Sequence, residues 1–129
     1  MNAALLDTHA LLWLIDNSPK LSKPALARIT EPGAELFFSH AGAWEIAIKF
    51  GLGKLELPQS PQAYLEKHLT LNKIRYLPIS IHAIFLAGTL PHHHGDPFDR
   101  LMVAQCLYAD LPILSHDQKL DAYGVRRVW

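Results

Sequence analysis

The chain has 129 residues, half of them hydrophobic, and its 12 Lys and Arg residues balance 12 Asp and Glu residues. This length and composition predict a single folded domain over residues 1–129 and argue against intrinsic disorder. The zero formal charge argues against a protein that binds nucleic acid through bulk positive charge, but it leaves room for a local basic rim.

Short apolar runs alternate with helical patterns along the chain. In order, they predict a buried strand at 3–6 (AALL), helices at 9–17 and 23–30, a strand at 35–40 (ELFFSH), helices at 41–53 and 61–71, a strand at 74–80 (IRYLPIS), helices at 80–90 and 96–110, a strand at 112–115 (PILS), a short helix at 118–123 and a last strand at 125–129. Strands separated by helices require crossover connections. We therefore predict an α/β fold, a three-layer α/β/α sandwich with a mainly parallel central sheet.

The expected environment is the cytoplasm. No apolar run approaches the ~20 residues of a membrane span. The amino-terminal stretch also lacks the basic start and the small-residue cleavage site of a signal peptide. The lone Cys106 excludes an internal disulfide and a cysteine-rich zinc site.

Four acidic residues lie at or near the predicted carboxyl ends of the strands. Asp7 ends the first strand, Asp117 follows the strand at 112–115, Asp99 lies in the first turn of the helix at 96–110, and Glu45 lies in the helix at 41–53. The carboxyl ends of parallel strands meet at one edge of an open sheet, where ligands bind. We therefore expect these four carboxylates to converge there.

The aspartates also have a structural explanation. Asp7 and Asp117 could each cap the helix that follows. In the sequence DPFD, Asp96 is a good N-cap, Pro97 suits the first helical position, and Asp99 would be the acidic residue of a capping-box-like turn. Taken singly, each aspartate is compatible with either role.

Glu45 is harder to explain as a structural residue. It stands four residues before Lys49, which is a favourable pair on a helix. Its neighbours, however, are almost all apolar, so the helix is expected to be largely buried. A buried carboxylate is costly unless a cation or hydrogen-bond donors compensate it.

Carboxylates that gather within a few ångströms raise one another's pKa unless a cation neutralises them. The predicted donors are all oxygens, which favours a hard cation, Mg²⁺ or Mn²⁺ as its substitute. A hydrated Mg²⁺ held by carboxylates is the usual device for hydrolysing phosphodiesters.

The histidine triplet His92, His93 and His94 suggests zinc at first sight. Adjacent residues of an extended loop point in alternating directions, so three consecutive imidazoles rarely face one ion. We expect a solvated loop near the mouth of the site, in which one histidine could touch a phosphate. His9 is expected on a helix surface.

Four segments together resemble the PIN-domain family, and most closely the VapC-type toxins of bacterial toxin–antitoxin pairs. They are LLDTHALLWL, AWEIAIKFGLGKL, HHHGDPFDRLMVAQC and ILSHDQKLDAYGV, in the family's order and over nearly the whole chain. The resemblance implies an Mg²⁺-dependent endoribonuclease that cuts RNA. It also implies inhibition by a cognate antitoxin, and assembly as a homodimer or a toxin–antitoxin hetero-oligomer.

Carried over by position, the family's acids are Asp7, Glu45, Asp99 and Asp117. Asp96 is an additional acid, either a metal ligand or an N-cap. The sequence has SHD where a Thr-containing motif is frequent, but Ser115 keeps the hydroxyl.

Other classes fit less well. A haloacid-dehalogenase-type phosphatase needs a second Asp where His9 stands, and a receiver-like phosphoacceptor needs a pair of acids after the first strand. The strongest alternative is a catalytically inactive PIN-like module that binds RNA or protein. Such a module would be expected to lack one of the four acids, and none is missing.

Basic residues close in sequence to the acids could contact RNA phosphates: Lys49, Lys54, Arg100 and Lys119. Arg100 could instead pair with Asp96. Apolar residues near the acids, Trp13, Trp44, Leu52 and Leu55, are expected mostly inside the core, with some of their surface accepting a segment of an antitoxin.

Overall fold

Strands and helices alternate in the order that the sequence predicts. The computed structural model describes residues 2–129, and its elements are β1 (Ala3–Leu6), α1 (Thr8–Ile15), α2 (Lys23–Thr30), β2 (Glu35–Ser39), α3 (His40–Gly51), α4 (Pro61–Leu71), β3 (Ile74–Leu77), α5 (Ile81–Thr89), α6 (Pro97–Ala109), β4 (Ile113–Leu114), a 3-10 helix (Gln118–Tyr123) and β5 (Arg127–Val128). The short predicted helix at 118–123 is thus a 3-10 helix. No helix within residues 2–129 combines the length and apolar character needed to cross a bilayer.

The five strands form one parallel sheet in the order β3-β2-β1-β4-β5. The central strand β1 pairs with β2 on one side, with Leu5 opposite Phe37, and with β4 on the other, with Leu6 opposite Leu114. Since parallel neighbours cannot be joined by a tight hairpin, a helical segment lies in every connection. The predicted α/β class is confirmed.

Side chains of β1 point alternately to two cores, one on each face of the sheet. Ala4 and Leu6 belong to a core closed by α1, α2, α3 and α4, whereas Leu5 belongs to a core closed by α6 and the 3-10 helix. Both faces of the sheet are therefore covered, so a site is expected where the strands end.

Helix starts are fixed by side-chain caps. Serines cap α2, α3, α4 and α5. Aspartates cap the remaining three helices, α1, α6 and the 3-10 helix, and these are Asp7, Asp96 and Asp117. The structural role considered for each of these aspartates is thus real, and it positions all three at helix N-termini.

The expected burial of helix α3 and its carboxyl end is only half right. Ala41, Glu45 and Ile46 face inward, but Trp44 is 61% exposed and Leu52 is 64% exposed. The helix buries one stripe against the sheet and leaves the opposite face in solvent. Burial was therefore the wrong expectation for these two apolar side chains.

Candidate active site

A cleft at the carboxyl edge of the sheet collects the acids that the sequence singles out. It has a volume of about 210 Å³ and lies where β1 and β4 end, beside α3 and the first turn of α6. The residues that line it are Asp7, Thr8, His9, Trp13, Glu45, Lys49, His94, Asp96, Asp99, His116 and Asp117. All five acids named from the sequence are in this set.

Asp7 enters the cleft directly from the central strand. Its Oδ1 accepts a hydrogen bond of 2.8 Å from the Ala10 amide, so one oxygen caps α1. The residue is almost completely buried. Burial raises the pKa of Asp7, and hydrogen bonds from Ser115 and the Ala10 amide offset only part of that rise.

Glu45 is held by two donors on opposite sides of its carboxylate. Thr8 Oγ1 donates to Oε1 at 2.5 Å, and Lys49 Nζ donates to Oε2 at 2.7 Å. Only 4% of the residue is exposed. The expected i,i+4 pair with Lys49 therefore forms, and it supplies the compensation that a buried carboxylate requires.

The start of α3 aims Glu45 into the cleft. Strand β2 leads into α3 without a loop, and Ser39 both accepts from the Ala41 amide and donates to Gln105 of α6. Gly42 then passes over the ring of Phe38, where an added Cβ would lie 2.6 Å from the ring Cζ. The close approach fixes the helix against the sheet one turn before Glu45.

The DPFD turn separates its two aspartates. Asp96 Oδ1 accepts from the amides of Phe98, at 2.8 Å, and Asp99, at 3.3 Å, so Asp96 is the N-cap of α6. Asp99 directs its carboxylate into the cleft instead, where its Oδ2 lies 3.3 Å from His94 Nε2. Both residues border the cleft, but only Asp96 has a capping role.

His94 departs from the solvated loop that the sequence suggests. It is partly buried, and its Nε2 lies 2.6 Å from Asp117 Oδ2, whereas His92 and His93 are exposed. The three imidazoles indeed do not face one point. The inward position of His94 rests on contacts distant in sequence, because Tyr123 Oη accepts from the His94 amide at 3.0 Å.

The hydrogen bonds of His94 determine which ring nitrogen carries the proton. The Asp96 amide donates to Nδ1 at 3.0 Å, which uses the single lone pair of a neutral imidazole. Nε2 must then carry a hydrogen, and it donates to Asp117 Oδ2, with Asp99 Oδ2 close by at 3.3 Å. His94 is therefore a donor to Asp117 in this arrangement rather than a nitrogen ligand.

The acids of the cleft differ in pKa. Burial, with Asp96, Asp7 and Glu45 nearby, raises the pKa of Asp99 to about 7. Burial also acts to raise the pKa of Asp117, but hydrogen bonds from the Lys119 amide and from His94 outweigh it, so that pKa lies below its ordinary value. Three neighbouring carboxylates thus add to the effect of burial on the pKa of Asp99.

The oxygen-rich donor set fits a hard divalent cation. Five carboxylates line the cleft with a single lysine, and that lysine is already paired with Glu45. Ligand atoms of Asp99, Asp117 and His94 lie within 4.8 Å of one another, although the protonation of Nε2 disfavours His94 as a ligand. A cation held by the carboxylate oxygens would remove the repulsion that raises the pKa of Asp99.

The structure separates the four basic residues suggested for RNA binding. Lys49 borders the cleft, and Lys54 and Lys119 are exposed. Arg100 is different because it is buried, and its guanidinium donates to the carbonyl oxygens of Ala87, Leu90 and Pro91 and to Tyr123 Oη at 2.9–3.2 Å. Arg100 therefore neither pairs with Asp96 nor faces a substrate, and it holds the loop before α6.

Sequence reasoning did not predict the positions that three residues take in the cleft. Thr8 holds Glu45, His94 holds Asp117, and Trp13 forms part of the wall. The position of Thr8 could have been predicted from the pattern DTH, because a residue directly after Asp7 lies at the same edge of the sheet. His94 carried no local signal that distinguished it from its two neighbours.

The sequence model of the PIN domain matches residues 4–125. The chain belongs to the PIN-domain family. This confirms the family predicted from the four motifs. No curated protein matches the chain in sequence.

Several solved structures have the same fold. VapBC2 from Rickettsia felis, bound to a DNA fragment from its promoter, contains a chain with a TM-score of 0.72 and 13% identity, over 98% of this chain and 99% of that one. FitAcB from Neisseria gonorrhoeae gives 0.67 and 16%, over 96% and 95%. A toxin–antitoxin complex from Klebsiella pneumoniae gives 0.56 and 15%, over 92% and 90%. At these identities the likeness is one of fold.

Proposed function

We propose that this PIN-domain protein is an Mg²⁺-dependent endoribonuclease that hydrolyses phosphodiester bonds of RNA, with Mn²⁺ as a substitute. The observation that carries the proposal is the convergence of Asp7, Glu45, Asp99 and Asp117 from four distant segments in one cleft. The pKa of Asp99, which burial and the neighbouring carboxylates raise to about 7, supports it, because strongly perturbed pKa values cluster at functional sites.

The four carboxylates would supply the oxygen ligands, with Asp96 beside them as the helix cap. When bound, Mg²⁺ would activate water and offset the charge that develops on the scissile phosphate. Glu45 is oriented for this by Thr8 and Lys49, and Asp117 is oriented by His94. The chain's own contribution is therefore to hold the acids in place before the cation and the RNA arrive.

RNA contacts would come from lysines around the cleft. Lys49 has 41% of its side chain exposed while it donates to Glu45, so it can also meet a phosphate at the mouth. Lys54 and Lys119 are exposed and would extend this rim. Arg100 is not part of the proposal.

The direct experiment is to incubate the pure protein with total RNA in Mg²⁺, and in parallel in EDTA, and to sequence the new ends. We expect discrete internal cuts that require Mg²⁺ or Mn²⁺ and do not require zinc. Cuts at the same positions by ion-free protein would refute the metal site. Binding of RNA without cleavage would favour the inactive PIN-like module.

The second part of the proposal is that the protein is the toxin of a toxin–antitoxin pair. The similar structure from Klebsiella pneumoniae supports it, because it is named as a toxin–antitoxin complex. We expect bacterial growth to stop on expression of the wild-type chain and to continue on expression of Asp99→Asn at an equal protein level. Equal arrest by both would refute a toxic nuclease.

An exposed apolar patch beside the cleft would receive the antitoxin. We call the exposed Trp44 and the partly exposed Phe98 the Trp44 patch. Trp44 packs edge-on against Phe98 with ring centroids 5.4 Å apart, and these residues directly precede the acids Glu45 and Asp99. A peptide on this patch could therefore extend a basic side chain to the carboxylates.

Hydrogen exchange of the complex tests this placement. The first turns of α3 and α6 should be protected when the antitoxin is bound. Protection confined to the opposite edge of the sheet would contradict it.

We further propose that the protein acts in the cytoplasm on cellular RNA, as a homodimer or a toxin–antitoxin hetero-oligomer. Light scattering during size-exclusion chromatography would distinguish these two assemblies.

A further inference from the structure

A group of aromatic rings lies beside the acidic cleft. We call His9, Trp13, His116 and Trp129 the aromatic platform. The rings of His9 and Trp13 are stacked, with centroids 5.4 Å apart and planes at 24°. His116 and Trp129 pack against Trp13 at 6.0 and 5.7 Å, and against each other at 5.8 Å. The nuclease chemistry proposed above makes no use of these rings.

The platform is continuous with the cleft. His9, Trp13 and His116 line the acidic cleft and also an adjoining open hollow of about 510 Å³. His116 directly precedes Asp117, and His9 is two residues after Asp7, so both imidazoles are tied to proposed metal ligands by the backbone. Both histidines are exposed, which leaves ring surface open to a ligand.

Two lysines flank the rings. Lys20 Nζ lies 5.9 Å from the centroid of the Trp13 ring. Lys119 lies with His9, His116 and the acid Asp117 around a neighbouring hollow. Flat rings with flanking ammonium groups suit a nucleic-acid strand, because bases stack on aromatic faces while lysines meet the phosphates.

We infer that the aromatic platform stacks an unpaired RNA base next to the phosphate that is cut. The inference rests on the proposed nuclease function, since it is the carboxylates that define where the phosphate lies. Bases of a duplex are already stacked and paired, so they cannot reach the rings. The occupant is RNA rather than an antitoxin segment, for which the uncharged Trp44 patch is better suited.

The platform could alternatively serve only to fasten the carboxyl end of the chain, because Trp129 packs against the core. A second stacked pair, far from the cleft, serves as a control for the loss of a stacked aromatic ring in general. His82 and Tyr108 stack at 5.4 Å and 11°, and Tyr108 lies in the last turn of α6, at the opposite end of that helix from Asp99. No acidic residue is among the described residues that line the hollow at Tyr108.

The test is binding of a short fluorescent oligouridylate, alone and as a duplex with oligoadenylate, with Ca²⁺ replacing Mg²⁺ to keep the strand intact. Trp13→Leu should weaken single-strand binding by roughly tenfold or more and leave duplex binding unchanged. His9→Ala should act in the same direction, and Tyr108→Leu should bind like the wild type. An oligonucleotide with abasic sites should bind weakly to the wild type and lose nothing further on Trp13→Leu.

Equal binding by the wild type, Trp13→Leu and His9→Ala would overturn the inference, as would equal losses on single strand and duplex. If circular dichroism shows that Trp13→Leu does not fold, the exposed residues decide the matter through His9→Ala and His116→Ala. Platform variants that bind RNA normally but lose the antitoxin would also overturn it. Cleavage of total RNA separates the two proposals. If the platform variants cut RNA like the wild type, the base-stacking role of the platform is refuted and the nuclease function stands. If the wild type binds RNA in a base-dependent way but does not cut it, the nuclease function is refuted and base stacking on the platform stands.

Discussion

Asp99 and Arg100 are neighbours in the first turns of α6, yet their surroundings are opposite. The Arg100 guanidinium is buried and makes hydrogen bonds to carbonyl oxygens of Ala87, Leu90 and Pro91 and to Tyr123 Oη. Asp99 is partly buried and faces other acids; burial first, and then these acids, raise its pKa to about 7. A buried charge whose donors are satisfied stabilises the fold, whereas a buried charge left among like charges indicates a site that awaits a cation.

The largest effect is expected on cleavage when the crowded acid is replaced. Asp99→Asn should reduce Mg²⁺-dependent RNA cleavage by roughly a hundredfold or more. The ion-free variant should melt at the same temperature as the wild type or higher, because repulsion is relieved. Asp110→Asn, at the exposed carboxyl end of the same helix, is the matched control and should cut normally. Near-normal cleavage by Asp99→Asn would remove Asp99 from the site.

The satisfied charge should behave in the opposite way. Arg100→Met leaves several buried acceptors without a donor, so we expect the free energy of unfolding to fall by about 3–5 kcal/mol. Urea denaturation measures it. Arg126→Met removes an arginine that is largely exposed and paired with Asp110, and should cost less than about 1 kcal/mol. Equal stability of the two variants would show that Arg100 does not hold the loop.

The surroundings of Asp99 also predict a pH dependence of the ion-free protein. Below pH 3.8 Asp99 is protonated in both states; as pH rises, the unfolded chain ionises first and the folded protein only near pH 7. The folded state should thus lose roughly 1–4 kcal/mol between about pH 4 and 7 through this group. The difference in unfolding free energy between Asp99→Asn and the wild type should grow over that window and stay level above it. A constant difference would mean that Asp99 is not perturbed.

The smallest effect concerns the other aspartate of the DPFD turn. Asp96→Ala should lower stability by roughly 0.5–2 kcal/mol through loss of the N-cap, and reduce cleavage only in part. Asp96→Asn sharpens the comparison, because asparagine caps as well as aspartate but carries no charge. Thermal melts and cleavage rates should show Asp96→Asn close to the wild type. Loss of cleavage without loss of stability in Asp96→Asn would assign Asp96 to the metal.

The sequence predicted the fold well because its signals are local. Apolar runs such as AALL, and the caps at Asp7 and Asp96, depend on residues a few positions apart. The convergence of the acids followed from the same layout, since parallel strands share a carboxyl edge. The strand order was not predictable, as no local signal states which strand pairs with β1.

What the sequence did not predict depends on contacts between distant residues. His94 turns inward because Tyr123, 29 positions later, anchors its backbone, and Arg100 is buried because the loop before α6 folds around it. Trp44 stays exposed because α3 covers the sheet with its other face. Each outcome follows from packing that periodicity does not describe.

Thermal unfolding with increasing Mn²⁺ tests the central claim most directly, namely that the crowded carboxylates form a divalent-cation site. A cation that binds only the folded state raises the melting temperature as its concentration rises. The account predicts a clear rise for the wild type and Asp110→Asn and little or none for Asp99→Asn. An equal rise in all three proteins, or no rise in any of them, would contradict it.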